Sequence, residues 1–343
     1  LPKVLKTGKN LMAKTAPLIR AANLLPLVRF MDMNRLETNS YLDAADLSYW
    51  FFLHPLNPLP TLNGIRLLRD LSRAQGPDVG IKIVQQSSVA ELAFIGGVAL
   101  GSQSPAEALH RISFAMPMHS THENFLVTED AGKTVIEHSF QFEIDPESYH
   151  AVQVLMLSML QQLFRFTALS PPFFTHIEAV PHPEFGLSSM KEHFDAVITE
   201  AHRPVLRMSV DTAVANKPFV SPARDRSKTI DVSKIPPLAE DTSIGGSIRP
   251  IIDGMLHEGE PTVARVAFAA GMPVRTIQRR LNSEGTSFSE QIDIVRRRLA
   301  IDVLEAQDAT IQDIAERLGY SSPSALTRAV RRLTGRSPSQ LRG

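Results

Sequence analysis

Apolar residues recur three and four apart in two stretches of the first half, Leu62 to Ala74 and Pro105 to Met116, and this spacing predicts two amphipathic helices. Asn124 to Val127 and Thr134 to Phe140 are short apolar-rich runs on either side of Asp130-Ala131-Gly132, the pattern of a β-hairpin. From Pro146 to about Leu169 the chain stays apolar long enough to predict one long helix, with Tyr149, Val152, Leu155, Met156 and Leu163 as its buried positions. Phe174 to Val180 and Val205 to Val210 read as further strands. The amino-terminal part is therefore predicted to be α+β.

Periodicity then fails. Residues 212–244 include KPFVSPARDRSK and KIPPLAEDTSI, rich in proline, serine and charge, and predict a linker. The expected organisation is an amino-terminal sensing or dimerisation domain over 1–211 and a separate all-α domain over 245–343.

That second domain is clearly punctuated. A short helix over Thr262 to Ala270 stops at Gly271, and Pro273 opens another that ends at Gly285. Ser287 and Glu290 form a capping box for a long helix running to about Glu305. Thr310 and Asp313 cap a short helix ending at Gly319, and Ser322-Pro323 starts one that ends at Gly335. The same phrase occurs twice: short helix, glycine turn, arginine-rich helix, glycine. It predicts two helix-turn-helix units joined by a long helix of about 19 residues, roughly 29 Å at 1.5 Å per residue. That length is close to the ~34 Å between successive major grooves on one face of a duplex.

The faces of the two arginine-rich helices carry the functional reading. In the first, Ile277 and Leu281 share one side, while Arg275, Arg279 and Asn282 take the other with Gln278 beside them. In the second, Leu326, Val330 and Leu333 face inward, and Ser324, Arg328 and Arg331 face outward with Thr327 beside them. Arginine reads guanine, glutamine can read adenine, and hydroxyls anchor phosphates, which is the division a major-groove helix needs. One such helix could equally be a solvated surface helix; two in register after glycine turns point to DNA.

Charge sharpens this picture. The whole chain of 343 residues has a formal net charge of zero. From Ile244 onward every basic residue is arginine, and the net charge there is only +3. The signal lies in two acid-free clusters, Arg275/Arg279/Arg280 and Arg328/Arg331/Arg332/Arg336. Cysteine is absent, which removes disulfides and thiolate chemistry and suits a reducing cytoplasm. No run is long and apolar enough for a membrane helix, and the first residues lack a secretion-signal pattern.

Catalytic chemistry is hard to find. His110, His119, His122, His138 and His150 are the only tempting groups, and they read as scattered surface histidines. His119 and His122 have a possible ligand spacing, but no helix carries two histidines around a glutamate. No serine elbow, phosphate loop or carboxylate pair stands out, so the chain is not expected to be an enzyme, to bind a metal or to need a cofactor. A purely architectural DNA binder would use wedges and the minor groove, unlike this paired pattern.

The segments TVARVAFAAGMPVRTIQRRLNSEGTSF, VRRRLAIDVL and TIQDIAERLGYSSPSALTRAVRRLTGRSPSQLR resemble the DNA-binding domain of AraC-type transcription regulators over about Ser247 to Arg342. The matching features are R-T-I-Q-R-R-L, G-T-S-F, I-A-x-x-L-G-Y and T-G-x-S-P-x-x-x-R. Carried over position by position, the resemblance implies base contacts from Arg275, Gln278 and Arg279, and from Pro323, Ser324 and Arg328. Arg280, Thr276, Thr327, Arg331 and Arg332 are then expected on phosphates. Leu326 and Val330 stand where such regulators usually carry phenylalanine, and Pro323 has no side-chain donor, so the first unit is expected to carry more of the specificity. Gly97, Ser104, Pro105, Glu107 to Leu109 and Arg111 are similar to the effector domain of the branch that includes regulators of arginine and ornithine use. The resemblance implies double-stranded operator DNA and RNA polymerase as partners, a homodimer, activation of transcription and a small-molecule effector. A ligand-independent regulator whose amino-terminal domain only dimerises is the alternative. The effector and its residues are not legible in the sequence.

Overall fold

A short strand, β1 (Leu18–Arg20), pairs antiparallel with β2 (Pro58–Pro60). The protein is described from a computed structural model over residues 14–87, 93–99, 101–220, 234–305, 310–312, 315 and 322–341. Residues 221–233 of the expected linker, and Asp313 and Gly319 of the expected short helix, lie outside the described residues.

The amino-terminal helices are α1 (Leu25–Met33), α2 (Thr38–Ala44), α3 (Thr61–Gln75), α4 (Val79–Gln85), α5 (Ala93–Ala99) and α6 (Pro105–His119). Ser104 caps α6 by accepting from the Glu107 N–H at 3.3 Å, with Pro105 in the first turn. The predicted hairpin is β3 (Glu123–Asp130) and β4 (Lys133–Phe140), turned by Ala131 and Gly132 at positive φ. After α7 (Pro146–Phe164) come β5 (Phe174–Ala179), α8 (Ser188–His193), β6 (Val197–Glu200), β7 (Leu206–Asp211) and α9 (Thr212–Ala215). The sheet runs β3-β4-β7-β5-β6, antiparallel except for β5 with β6. The α+β expectation holds.

Helix α7 is the spine of this half. Asp145 accepts from the Ser148 N–H at 2.9 Å and fixes its start. The helix ends at Phe164, short of the expected Leu169, because the Thr167 hydroxyl donates to the Phe164 carbonyl at 2.8 Å and closes the last turn. Leu157, Leu160 and Phe164 pack into a core with the sheet and α6, whereas Ala151 belongs to the core on the other side. Tyr149, Met156 and Leu163 are buried as predicted. Val152 and Leu155 are only half-buried, because they line a cavity.

The carboxy-terminal half comprises α10 (Ile244–Leu256), α11 (Val263–Ala269), α12 (Val274–Ser283), α13 (Phe288–Glu305), α14 (Pro323–Thr334) and α15 (Pro338–Leu341). Its all-helical character and the long connecting helix match the sequence reading. Helix α10 was not anticipated. Ser243 accepts from the Gly246 N–H at 2.8 Å at its start, and the N–H groups of Ile244 and Gly245 donate to the Glu284 carboxylate at 2.7 and 3.1 Å. A carboxylate at a helix N-terminus opposes the macrodipole favourably.

One hydrophobic core runs across the expected domain boundary. It contains Leu18, Tyr49, Leu59, Leu67 and Leu71 together with Ile244, Ile248, Ile251, Ile252, Met255, Val266, Ile277, Leu281 and Val295. Gly254 admits the Tyr49 ring: a β-carbon there would lie 2.4 Å from Tyr49 Cε2. Polar ties follow the same seam. The Arg265 guanidinium pairs with Asp46 at 2.6 Å and with Glu258, and the Ala16 N–H donates to Ser247 Oγ at 3.0 Å. A fragment cut at residue 245 would therefore expose the apolar face of α10.

Candidate nucleic-acid interface

Helix α12 divides its residues sharply. Ile277 and Leu281 are fully buried, while Arg275, Gln278, Arg279 and Asn282 are exposed on the opposite side. Gly271, in the turn before it, has φ of 64° and lies against Leu62 of α3, with no room for a β-carbon. The turn that sets the angle between α11 and α12 is thus braced by the amino-terminal half.

Helix α14 repeats the arrangement. Ser322 accepts from the Ala325 N–H at 3.1 Å, Pro323 occupies the first turn, and Gly335 closes the helix at φ 72°. Leu326 and Val330 are fully buried, and Ser324, Arg328, Arg331 and Arg332 are exposed. The smaller residues at 326 and 330 are thus still shielded from solvent. The Leu333 side chain, expected to face inward, lies outside the described residues.

Among the described residues, Arg275, Gln278, Arg279, Arg328 and Arg331 make no hydrogen bond or ion pair, so their donors are open to a ligand. The other expected DNA contacts are placed differently. Arg280 is half-buried and donates to the Lys14 carbonyl at 2.8 Å. The Thr327 hydroxyl donates to the Pro323 carbonyl at 2.9 Å, and Arg332 lies 3.3 Å from Asp293. Thr276 is half-buried beside Arg275. The connecting helix α13 has 18 residues, about 27 Å. Ser287 and Glu290 form the predicted capping box at its start: the Ser287 N–H donates to Glu290 at 2.7 Å and Ser287 accepts from the Glu290 N–H at 3.3 Å.

The histidines are not at the surface as expected. His119, His122, His138 and His150 are buried, and only His110 of the five is exposed. Each buried ring has found a partner: His150 donates to the Val180 carbonyl at 3.0 Å, His138 lies 3.2 Å from Glu123, and His122 lies 2.6 Å from Thr121 Oγ1. Burial pushes the His119 pKa down to about 4, so its ring is neutral and accepts at Nε2 from Asn23 at 2.9 Å. Among the described residues, no three histidine, aspartate or glutamate side chains converge as a metal site would require.

Comparison with known proteins agrees with this arrangement. Residues 266–343 match the family described as helix-turn-helix domain. The HTH-type transcriptional regulator VirS of Mycobacterium tuberculosis is 24% identical over 270 residues, 78% of this chain and 78% of that protein. The transcriptional activator NphR of a Rhodococcus species is 27% identical over 127 residues, 37% of this chain and 34% of its own. The ornithine utilization regulator of Pseudomonas aeruginosa is 38% identical over 68 residues, 20% of each chain. These relatives are regulators rather than enzymes.

Proposed function

Starting from a DNA-binding transcription regulator whose carboxy-terminal segment is an AraC-type helix-turn-helix domain, we propose that α12 and α14 read adjacent major grooves of one operator half-site. Arg275, Gln278 and Arg279 of α12 and Ser324 and Arg328 of α14 contact base edges. Thr276, Thr327, Arg331 and Arg332 contact phosphates, and Arg280 reaches one by exchanging the Lys14 carbonyl for it. The observation that carries this reading is the open set of arginine and glutamine donors directly opposite the buried Ile277/Leu281 and Leu326/Val330 pairs.

The chain acts in this reading as a cytoplasmic homodimer that activates RNA polymerase under control of a small molecule. Support for activation comes from the similarity to the transcriptional activator NphR, and support for an effector comes from the cavity in the amino-terminal half. We keep residues 1–211 as the sensing part and 245–343 as the DNA-reading part in function, although their apolar packing is continuous. The test is selection of binding sites from random DNA by the purified chain, followed by transcription from a promoter bearing the selected site. Transcription should rise on adding the protein with RNA polymerase. A fall would make it a repressor, and no enrichment of any sequence would remove the base-reading role.

A further inference from the structure

The half-burial of Val152 and Leu155 leads to a cavity between α1, α3 and α7. Its walls are apolar: Leu24 and Leu27 from the first segment, Ile65 and Leu68 from α3, and Val152, Leu155, Met156 and Met159 from α7. Its polar lining comes from Thr61, Asn23, His119 and Glu123, of which Asn23 and His119 are hydrogen-bonded at 2.9 Å. The Thr61 hydroxyl is buried, on a residue only 2% exposed, and has no hydrogen-bond partner among the described residues. An unsatisfied buried hydroxyl costs about 1–3 kcal/mol, so it calls for an account. Burial is the largest single influence and would raise the Glu123 pKa, but the hydrogen bond and charge of His138, together with His119 and Ser120, hold the carboxyl below its usual value. The polar lining thus presents an ionised acceptor and an idle hydroxyl.

Helix α3 connects this cavity to the DNA-reading half. Thr61, Gly64, Ile65 and Leu68 face the cavity. From the other side of the same turns, Leu62 abuts Gly271 in the turn before α12. Arg66 donates to the Phe268 carbonyl at 3.0 Å and lies 3.7 Å above the Phe268 ring. A larger cleft of about 600 Å³ beside α10 and α13 is a weaker candidate, since its charged groups Arg298, Glu240 and Asp253 already pair with one another.

We propose that the α1/α3/α7 cavity is the effector site, that it takes a compact neutral molecule with an aliphatic body and a hydroxyl head, and that α3 passes its occupancy to the Gly271 turn. The proposal rests on the effector-controlled reading above and names its site. A hydroxyl matches both ends of the polar patch: it donates to Glu123 and accepts from Thr61. A carboxylate head would meet the Glu123 charge, and an ammonium head could pair with Glu123 but brings three donors, more than Glu123 and Thr61 can accept, into an otherwise apolar chamber. The cavity measures about 90 Å³, less than the ~150 Å³ that accommodates benzene, so as it stands it holds a body of about four carbons. Met156 and Met159, unbranched and flexible, must yield for a body of five or six.

The probes are 1-butanol to 1-hexanol, with hexanoate and hexylamine as controls, titrated into the full chain while melting temperature and operator affinity are both followed. A saturable rise in melting temperature is expected with the alcohols only. In Thr61→Val the unliganded protein should melt at the same or a higher temperature, because an unsatisfied hydroxyl is gone, yet bind the alcohol about five- to tenfold more weakly. Met159→Trp fills the chamber and should abolish the response. Coupling predicts that DNA changes alcohol affinity by the same factor as alcohol changes DNA affinity, and that Arg66→Ala brings this factor toward one. Equal responses to alcohol and hexanoate, no saturable response, or an unchanged affinity in Thr61→Val would overturn the site. A chain that binds its operator without responding to alcohol loses only this inference, whereas one that binds alcohol but selects no DNA loses only the base-reading proposal.

Discussion

Arg279→Ala is expected to weaken binding to the selected operator by roughly 5- to 150-fold, the about 1–3 kcal/mol carried by one bidentate arginine–guanine contact. Its side chain is exposed and makes no hydrogen bond or ion pair with the described residues, so melting temperature and circular dichroism should match the parent protein. The loss should be confined to one position of the site, where the variant tolerates all four base pairs. Arg332→Ala gives the contrast. Arg332 sits off the reading face, 3.3 Å from Asp293, and its removal should weaken all sequences alike. The slope of log affinity against log salt should then shrink by about 0.9. Should Arg332→Ala relax the sequence preference while Arg279→Ala preserves it, the phase of both helices on DNA is wrong.

Arg20→Met should destabilise the fold by about 3–5 kcal/mol, because three buried carbonyls lose their donor at about 1–3 kcal/mol each, partly offset by removing a desolvated charge. Arg20 is fully buried and has no carboxylate partner among those described. Its guanidinium instead donates to three carbonyls from three separate segments: Met118 at 2.8 Å, Leu56 at 2.5 Å, and Pro236 from the linker. Burial lowers its pKa to about 10, so it remains charged at neutral pH. Methionine fills the space but strands all three acceptors. Urea unfolding followed through Trp50, the single tryptophan, reports directly on this region, since its indole N–H donates to the Ala21 carbonyl at 2.9 Å. Lysine keeps the charge but cannot span three acceptors, and Arg20→Lys should recover only part of the loss. A cost below about 1 kcal/mol for Arg20→Met would show that the linker does not depend on this clamp.

What the sequence revealed follows from where the physics is local. Caps, glycine stops and helical spacing lie within a few residues of one another, so α12, its outward Arg275/Arg279 face, the α13 capping box and the hairpin at Ala131-Gly132 were all readable. The seam between the halves was not. Ile244, Ile248, Ile251 and Met255 do recur at helical spacing behind Ser243, but the sequence places the first helix only at Thr262, because the linker pattern running up to 244 hides the start of this one. Its partners Tyr49 and Leu59 lie some two hundred positions away, which no local pattern reports. The histidines were misplaced for a related reason. A lone His119 or His138 looks polar in sequence, and only the fold supplies the Asn23 and Glu123 that make its burial tolerable. The cavity was visible only as a methionine-rich stripe through Met156 and Met159, which resembles ordinary core packing.

The central claim is that two arginine-rich helices on one rigid connector read DNA together. Base-by-base methylation interference on the selected operator, with the full chain bound, tests this most directly. The account predicts two guanine-dependent patches in the major groove per protomer, centred about one helical turn (10–10.5 base pairs) apart on the same face of the duplex. Arg279→Ala should erase one patch and Arg328→Ala the other. A single patch that survives both substitutions, or interference confined to minor-groove positions, would contradict it.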